Sequence, residues 1–157
     1  GANLCLVAIG EDTGGSIRIP ASFNNAFGLR VTTGLVPRTG FSPLVHFQDT
    51  AGPMARTARD LATVLEVITG YDPVDPYSVV ATQTDTTGYR AALDAPTDLG
   101  AWSFGVLATA FGPDDDARCA AVNEVVCRAL DDVTAAGTTV VGGLELDDLP
   151  GWIGRTS

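Results

Sequence analysis

The stretch from Gly10 to Pro20, Gly-Glu-Asp-Thr-Gly-Gly-Ser-Ile-Arg-Ile-Pro, sets one serine at the end of a run of small, flexible residues. Gly14 and Gly15 carry no Cβ, so the backbone can turn sharply there and come close to a ligand. Successive N–H groups of Thr13, Gly14, Gly15 and Ser16 can then converge on one concave spot. That arrangement suits an anion, or the oxyanion of an acyl-transfer intermediate. The segment reads as a device that presents the Ser16 hydroxyl beside backbone donors. The competing reading is a tight turn that happens to contain a serine.

Neighbouring side chains have supporting roles in this reading. Asp12 and Arg18 are expected to form an ion pair or to anchor the loop backbone. A direct contact of Arg18 with a substrate carboxylate is the weaker alternative. The Thr13 hydroxyl is either a turn residue or an orienter of the loop. His46 is the only histidine, so a Ser16–His46–Asp49 triad can be written down. It is disfavoured: Arg18 stands where the second glycine of a G-x-S-x-G elbow would be, and His46 reads better as a loop residue near the rim. No Gly-Lys-Ser/Thr follows the glycines, which excludes a P-loop.

The same segment resembles the core of the amidase signature family, serine hydrolases that use a Ser–Ser–Lys triad. The likeness begins with GEDTGGSIRIPASF and continues through Phe27-Gly28-Leu29-Arg30 and Gly34-Leu35-Val36-Pro37-Arg38-Thr39-Gly40. It runs on through Asp49-Thr50-Ala51-Gly52-Pro53-Met54-Ala55-Arg56-Thr57 to Asp60-Leu61-Ala62. The resemblance implies that Ser16 is the nucleophile of a two-step acyl transfer on a carboxylic amide. It implies an oxyanion hole made by the backbone of Thr13, Gly14, Gly15 and Ser16, and no metal or cofactor. Its other triad members, a second serine on a cis peptide and a lysine, lie upstream in the family. This sequence has no lysine, and arginine cannot serve as a neutral base. The chain is therefore expected to be a fragment whose partners are a small-molecule amide and the remainder of the same protein, with a homo-oligomer as a further option. The alternatives are a non-catalytic remnant and the A subunit of a tRNA-dependent amidotransferase. Glu11, Val31 and the pair Asn24-Asn25 depart from common family residues and leave the substrate open.

The elements that must position this turn read as α/β: part of the amidase signature fold, with a mixed β-sheet core covered by helices. Residues 1–157 are expected to form a partial amidase domain. Its parts are the nucleophile motif and core in 1–70, an irregular linker in 71–100, a βαβ unit in 101–141 and a truncated tail in 142–157. Leu4 to Ile9 is an apolar run, a buried strand or helix end in the intact fold and an exposed surface in a fragment. Phe27–Val31 and Gly34–Pro37 read as short extended pieces. Thr57 to Thr69 is the clearest helix: Thr57 caps it, Leu61, Val64, Leu65 and Ile68 recur at helical spacing, and Gly70 stops it. A short helix is expected around Tyr89 to Leu93. Trp102–Leu107 alternates like a strand, and Asp114, Asp115 and Asp116 mark a helix start rather than a metal site. Val122, Val126, Ala129, Leu130 and Val133 are expected to be buried, before Gly137 and a parallel strand at Thr138–Val141.

A net charge of −10 with scattered arginines excludes a nucleic-acid surface. No apolar run is long enough for a membrane span. Cys5, Cys119 and Cys127 match no disulfide, zinc or CxxC pattern and are expected to be buried free thiols, which favours the cytoplasm, with a leader segment left open.

Overall fold

The computed structural model describes residues 2–148 and residue 151. It contains two compact units, residues 1–95 and 96–157. The first holds an antiparallel sheet in the order β1 (Val7–Asp12), β3 (Thr50–Ala55), β2 (Phe27–Gly28). The pattern of 50–55 assigns no strand, because Gly52 and Pro53 interrupt it, yet β3 is the central strand. Pro53 is tolerated for a geometric reason. Its carbonyl accepts from Leu29 N on the β2 side at 3.1 Å. A residue's N and C=O leave a strand on the same side, so the missing N–H also faces β2, which ends at Gly28.

Helix α1 (Arg18–Phe23) follows the candidate nucleophile turn, and α2 (Ala58–Ile68) follows β3. Thr57 Oγ1 accepts from Asp60 N at 3.0 Å, so the expected cap is present. Ala62 and Leu65 are the buried positions of α2. Leu65 packs with Val31, Val36 and Ala51, and Leu29, Leu35, Phe41, Ile68 and Tyr89 surround that cluster. Burying a leucine of this kind contributes about 1.5–3 kcal/mol. Gly34–Pro37 forms a turn instead of the expected extended piece. The Gly70 N–H bonds back to Leu35 O at 3.2 Å.

Residues 71–95 lack apolar periodicity and are held mainly by polar contacts. A 3₁₀ helix spans Pro76–Gln83, and α3 spans Tyr89–Ala92. Asp75 caps the 3₁₀ helix through Tyr77 N and pairs with Arg38 at 3.1 Å, both side chains nearly buried. Arg38 also donates to the carbonyls of Asp49 and His46 and lies 4.5 Å from the centre of the Tyr77 ring. Ser78 is buried, its hydroxyl bonded to Asp72 O and Asp75 O.

In the second unit β4 (Ser103–Leu107) and β5 (Thr139–Leu144) pair in parallel, joined by α4 (Ala117–Ala135). The element order here is strand, helix, strand, and β5 runs on past Val141. Asp116 is the acid of the run that caps α4, accepting from Arg118 N at 2.9 Å. The expected buried stripe does not form. No residue of α4 is buried; Val122 is 62% exposed and Val126 40%. Spacing selects a face, but burial needs an opposing surface, and the described residues supply little to this one. The cysteine expectation fails in the same way: Cys5 and Cys127 are exposed and Cys119 is only partly covered, although all three are free. Leu4 and Leu6, at 92% and 76%, lie open as expected for a fragment. The part of the tail at 149–150 and 152–157 lies outside the described residues. No helix among the described residues is long and apolar enough to cross a membrane.

Candidate active site

Strand β1 ends at Asp12, and the chain turns through Thr13 to Ser16 into α1. Asp12 is fully buried and acts as the template of that turn. Its carboxylate accepts from Gly15 N at 2.7 Å, Ile17 N at 3.1 Å and Arg18 N at 3.4 Å. The Arg18 guanidinium adds contacts at 3.1 and 3.3 Å, and Arg30 Nε lies 3.5 Å away. Burial pushes the Asp12 carboxyl up, but the Arg18 guanidinium and the N–H groups of Ile17, Gly15 and Arg18 outweigh it. Together they hold it at about 2, below the ordinary 3.8. Arg18 is thus spent on Asp12.

Gly15 has φ +144°, and a Cβ there would lie 2.7 Å from Ile19 Cδ1. Glycine is required at this point by both conformation and space. Ile17, fully buried, plugs the turn onto the sheet. A Cβ on Gly10, Gly28 or Gly52 would each meet an Ile17 atom at 3.1 Å. Three bare backbone positions therefore make the socket for the residue next to Ser16. Ser16 itself is exposed, between the buried Gly15 and Ile17.

A second buried carboxylate grips the turn from outside. Asp49 accepts from Thr13 Oγ1 at 2.5 Å and from Leu44 N and Val45 N at 2.8 Å. Burial raises its carboxyl, and these three donors together with Arg38 bring it below the ordinary range. Gln48 Nε2 donates to Thr13 O at 3.1 Å. Arg30 Nη2 donates to Gln48 O at 2.8 Å, tying the two grips together.

The candidate residues Asp12, Thr13, Gly14, Gly15, Ser16 and Arg18 thus share one turn. The Gly15 N–H is committed to Asp12, whereas Thr13, Gly14 and Ser16 are not among the donors to that carboxylate. His46 stands apart. It is exposed and lines a cavity of about 440 Å³ with Glu11, Arg38, Asp49, Asp75 and Tyr77; Ser16 is not among the lining residues. Burial and the neighbouring Asp49 raise the Glu11 carboxyl there. Asp49 serves Thr13 rather than His46, so the disfavoured triad has no geometry behind it. Sequence reasoning missed Ile17, Arg30, Gln48 and the role of Asp49. Ile17, Arg30 and Asp49 lie inside the motifs quoted above and Gln48 directly precedes Asp49, but no local pattern named their partners. Among the described residues no group of three or more His, Cys, Asp or Glu is placed to hold a metal ion.

A family model described as Amidase matches residues 1–147. The A subunit of the glutamyl-tRNA(Gln) amidotransferase of Microcystis aeruginosa is 40% identical over 139 residues, 88% of this chain and 27% of that protein. Its namesake from Deinococcus deserti is 36% identical over 148 residues, 94% of this chain and 28% of its own length. Among solved structures, the native peptide amidase of Stenotrophomonas maltophilia superposes with a TM-score of 0.83 at 36% identity. That match covers 99% of this chain and 30% of the peptide amidase. The chain spans little more than a quarter of the curated relatives it matches.

Proposed function

Because this chain belongs to the amidase family, we propose that the intact protein cleaves the C–N bond of a carboxylic amide through Ser16. The observation that carries this reading is the pairing of an exposed Ser16 with a turn held rigid by the buried Asp12. Ser16 Oγ attacks the amide carbon, a C–O bond forms, and the carbonyl oxygen becomes an oxyanion. Backbone N–H groups of Thr13, Gly14 and Ser16 are the donors offered to it; Gly15 shapes the turn instead. The Ser16 proton passes to the leaving amine through a serine and a lysine carried by the rest of the protein, as the family resemblance implies. The C–N bond breaks, and water then attacks the acyl-enzyme and releases the acid. The substrate is a small-molecule amide, and the remainder of the protein covers the open apolar residues of this segment. Three free thiols favour a cytoplasmic location.

A second reading has its own observation. The curated relatives at 36–40% identity described above carry the name of the glutamyl-tRNA(Gln) amidotransferase. On that reading the amide is glutamine, and the released ammonia is passed to a second protein bound to this one. Glutamine consumption together with a co-purifying partner would establish it.

Labelling the full-length protein with a fluorophosphonate serine probe, followed by intact mass and peptide mapping, tests the nucleophile. A single adduct on Ser16, abolished in Ser16→Ala, is the expected result. Amide hydrolysis that survives in Ser16→Ala would overturn the assignment. Absence of both labelling and hydrolysis would favour a non-catalytic remnant.

A further inference from the structure

A peptide unit is planar and trans, so its C=O and N–H point in opposite directions. The Thr13 carbonyl and the Gly14 N–H belong to one such unit. A group that fixes the carbonyl on one side therefore aims the N–H on the other. Gln48 is placed to do this, with Nε2 donating to Thr13 O at 3.1 Å. Gln48 is itself held at its backbone: its N–H bonds to Val45 O at 2.8 Å, and its C=O accepts from Arg30 Nη2 at 2.8 Å. The Thr13 side chain is fixed independently by Asp49. Gly14 is exposed, and a Cβ built on it would meet nothing within 4 Å, so there is room for a ligand beside this residue. Of the two adjacent glycines, only Gly15 gives its N–H to Asp12.

We propose that Gln48 is a positioning residue for amide hydrolysis: by holding the Thr13 carbonyl it sets the direction of the Gly14 N–H toward the oxyanion formed at Ser16. The role rests on the reading of Ser16 as the nucleophile. Gln48 touches no substrate; it acts through one peptide plane. Its loss leaves ground-state binding alone and weakens an interaction that tightens as charge develops on the carbonyl oxygen.

The test uses the full-length protein, with glutamine and a peptide C-terminal amide as substrates and a fluorophosphonate as the probe of Ser16. Gln48→Leu removes the donor at similar bulk, and Gln48→Met does so with an unbranched chain should the leucine variant fail to fold. The expected result is a kcat lower by about tenfold, less than the roughly 10²–10³ for deleting a donor outright. KM should stay within about twofold, as befits an interaction made only in the transition state. The phosphonylation rate should fall in parallel with kcat while the melting temperature holds. Unchanged kcat and labelling rate in a folded variant would overturn the proposal, as would a rise in KM with kcat intact. Ser16→Ala separates the two readings. Activity surviving in Ser16→Ala removes the nucleophile, whereas inactive Ser16→Ala beside fully active Gln48→Leu removes only the role of Gln48.

Discussion

The two units of this chain are built on opposite terms. In residues 1–95 polar groups are buried together with apolar ones: Asp12, Asp49, Asp75, Thr50 and Ser78 share the interior with an apolar set that includes Ile17, Val31, Val36, Ala51 and Leu65. In the described part of 96–157, Thr138 alone is buried, and the helix α4 exposes its valines. The first unit fixes its own backbone through carboxylates whose oxygens are saturated by N–H and guanidinium donors. The second has its strands and caps but leaves its apolar face unmatched. The difference shows what each kind of interaction can settle alone. A buried carboxylate with several donors defines a turn to a fraction of an ångström, because an unmet charge in the interior is costly. A helical stripe defines only which side would be buried.

The largest expected effect breaks the first term of this comparison. Asp12→Ala strands three N–H groups and leaves the guanidinium of Arg30 without its carboxylate. The expected loss is about 3 kcal/mol or more in stability, read as a shift in the urea midpoint. A loss under about 1 kcal/mol would show that the turn holds without its template. A pH titration sharpens the same point. The folded Asp12 carboxyl sits at about 2 and the unfolded one at 3.8, so its contribution is fully present above 3.8 and is lost as pH falls toward 2. The amount is about 2 kcal/mol at most. Asp12→Asn should flatten that part of the stability profile, and an unchanged acid limb would contradict the assignment.

The smallest effect concerns the second term. Val122→Ser in this chain should change stability by no more than about 0.5 kcal/mol, because the side chain is already in water. Leu65→Ala, at a buried position in the first unit, should cost about 2–5 kcal/mol by the same denaturation assay. Equal losses in the two variants would mean that the α4 face is covered in solution, and the contrast between the units would fail.

Local chemistry made much of this architecture legible. Thr57, the spacing of Leu61 to Ile68 and Gly70 specify α2 within the chain segment itself. The strand–helix–strand order from Trp102 to Val141 and the glycine turn before Ser16 are local in the same sense. What stayed hidden depends on partners remote in sequence. Asp49 reaches Thr13 across 36 residues, and Arg38 reaches Asp75 across 37. No window of neighbouring residues encodes such contacts. Strand β3 was obscured because Pro53 is acceptable only where β2 stops. The cysteines and the α4 valines were misjudged because burial is a property of the assembled surface, not of residue type.

Arg38 has a consequence for the order of events during synthesis. It closes on Asp75 and Tyr77, and it also bonds to the carbonyls of Asp49 and His46 in the loop that grips Thr13. A ribosome adds about 5–20 residues per second, so several seconds separate Thr13 from Asp75. Through that interval Arg38 lacks its carboxylate partner. The anchor behind the loop that grips Thr13 is thus completed by a residue made much later than the turn it supports.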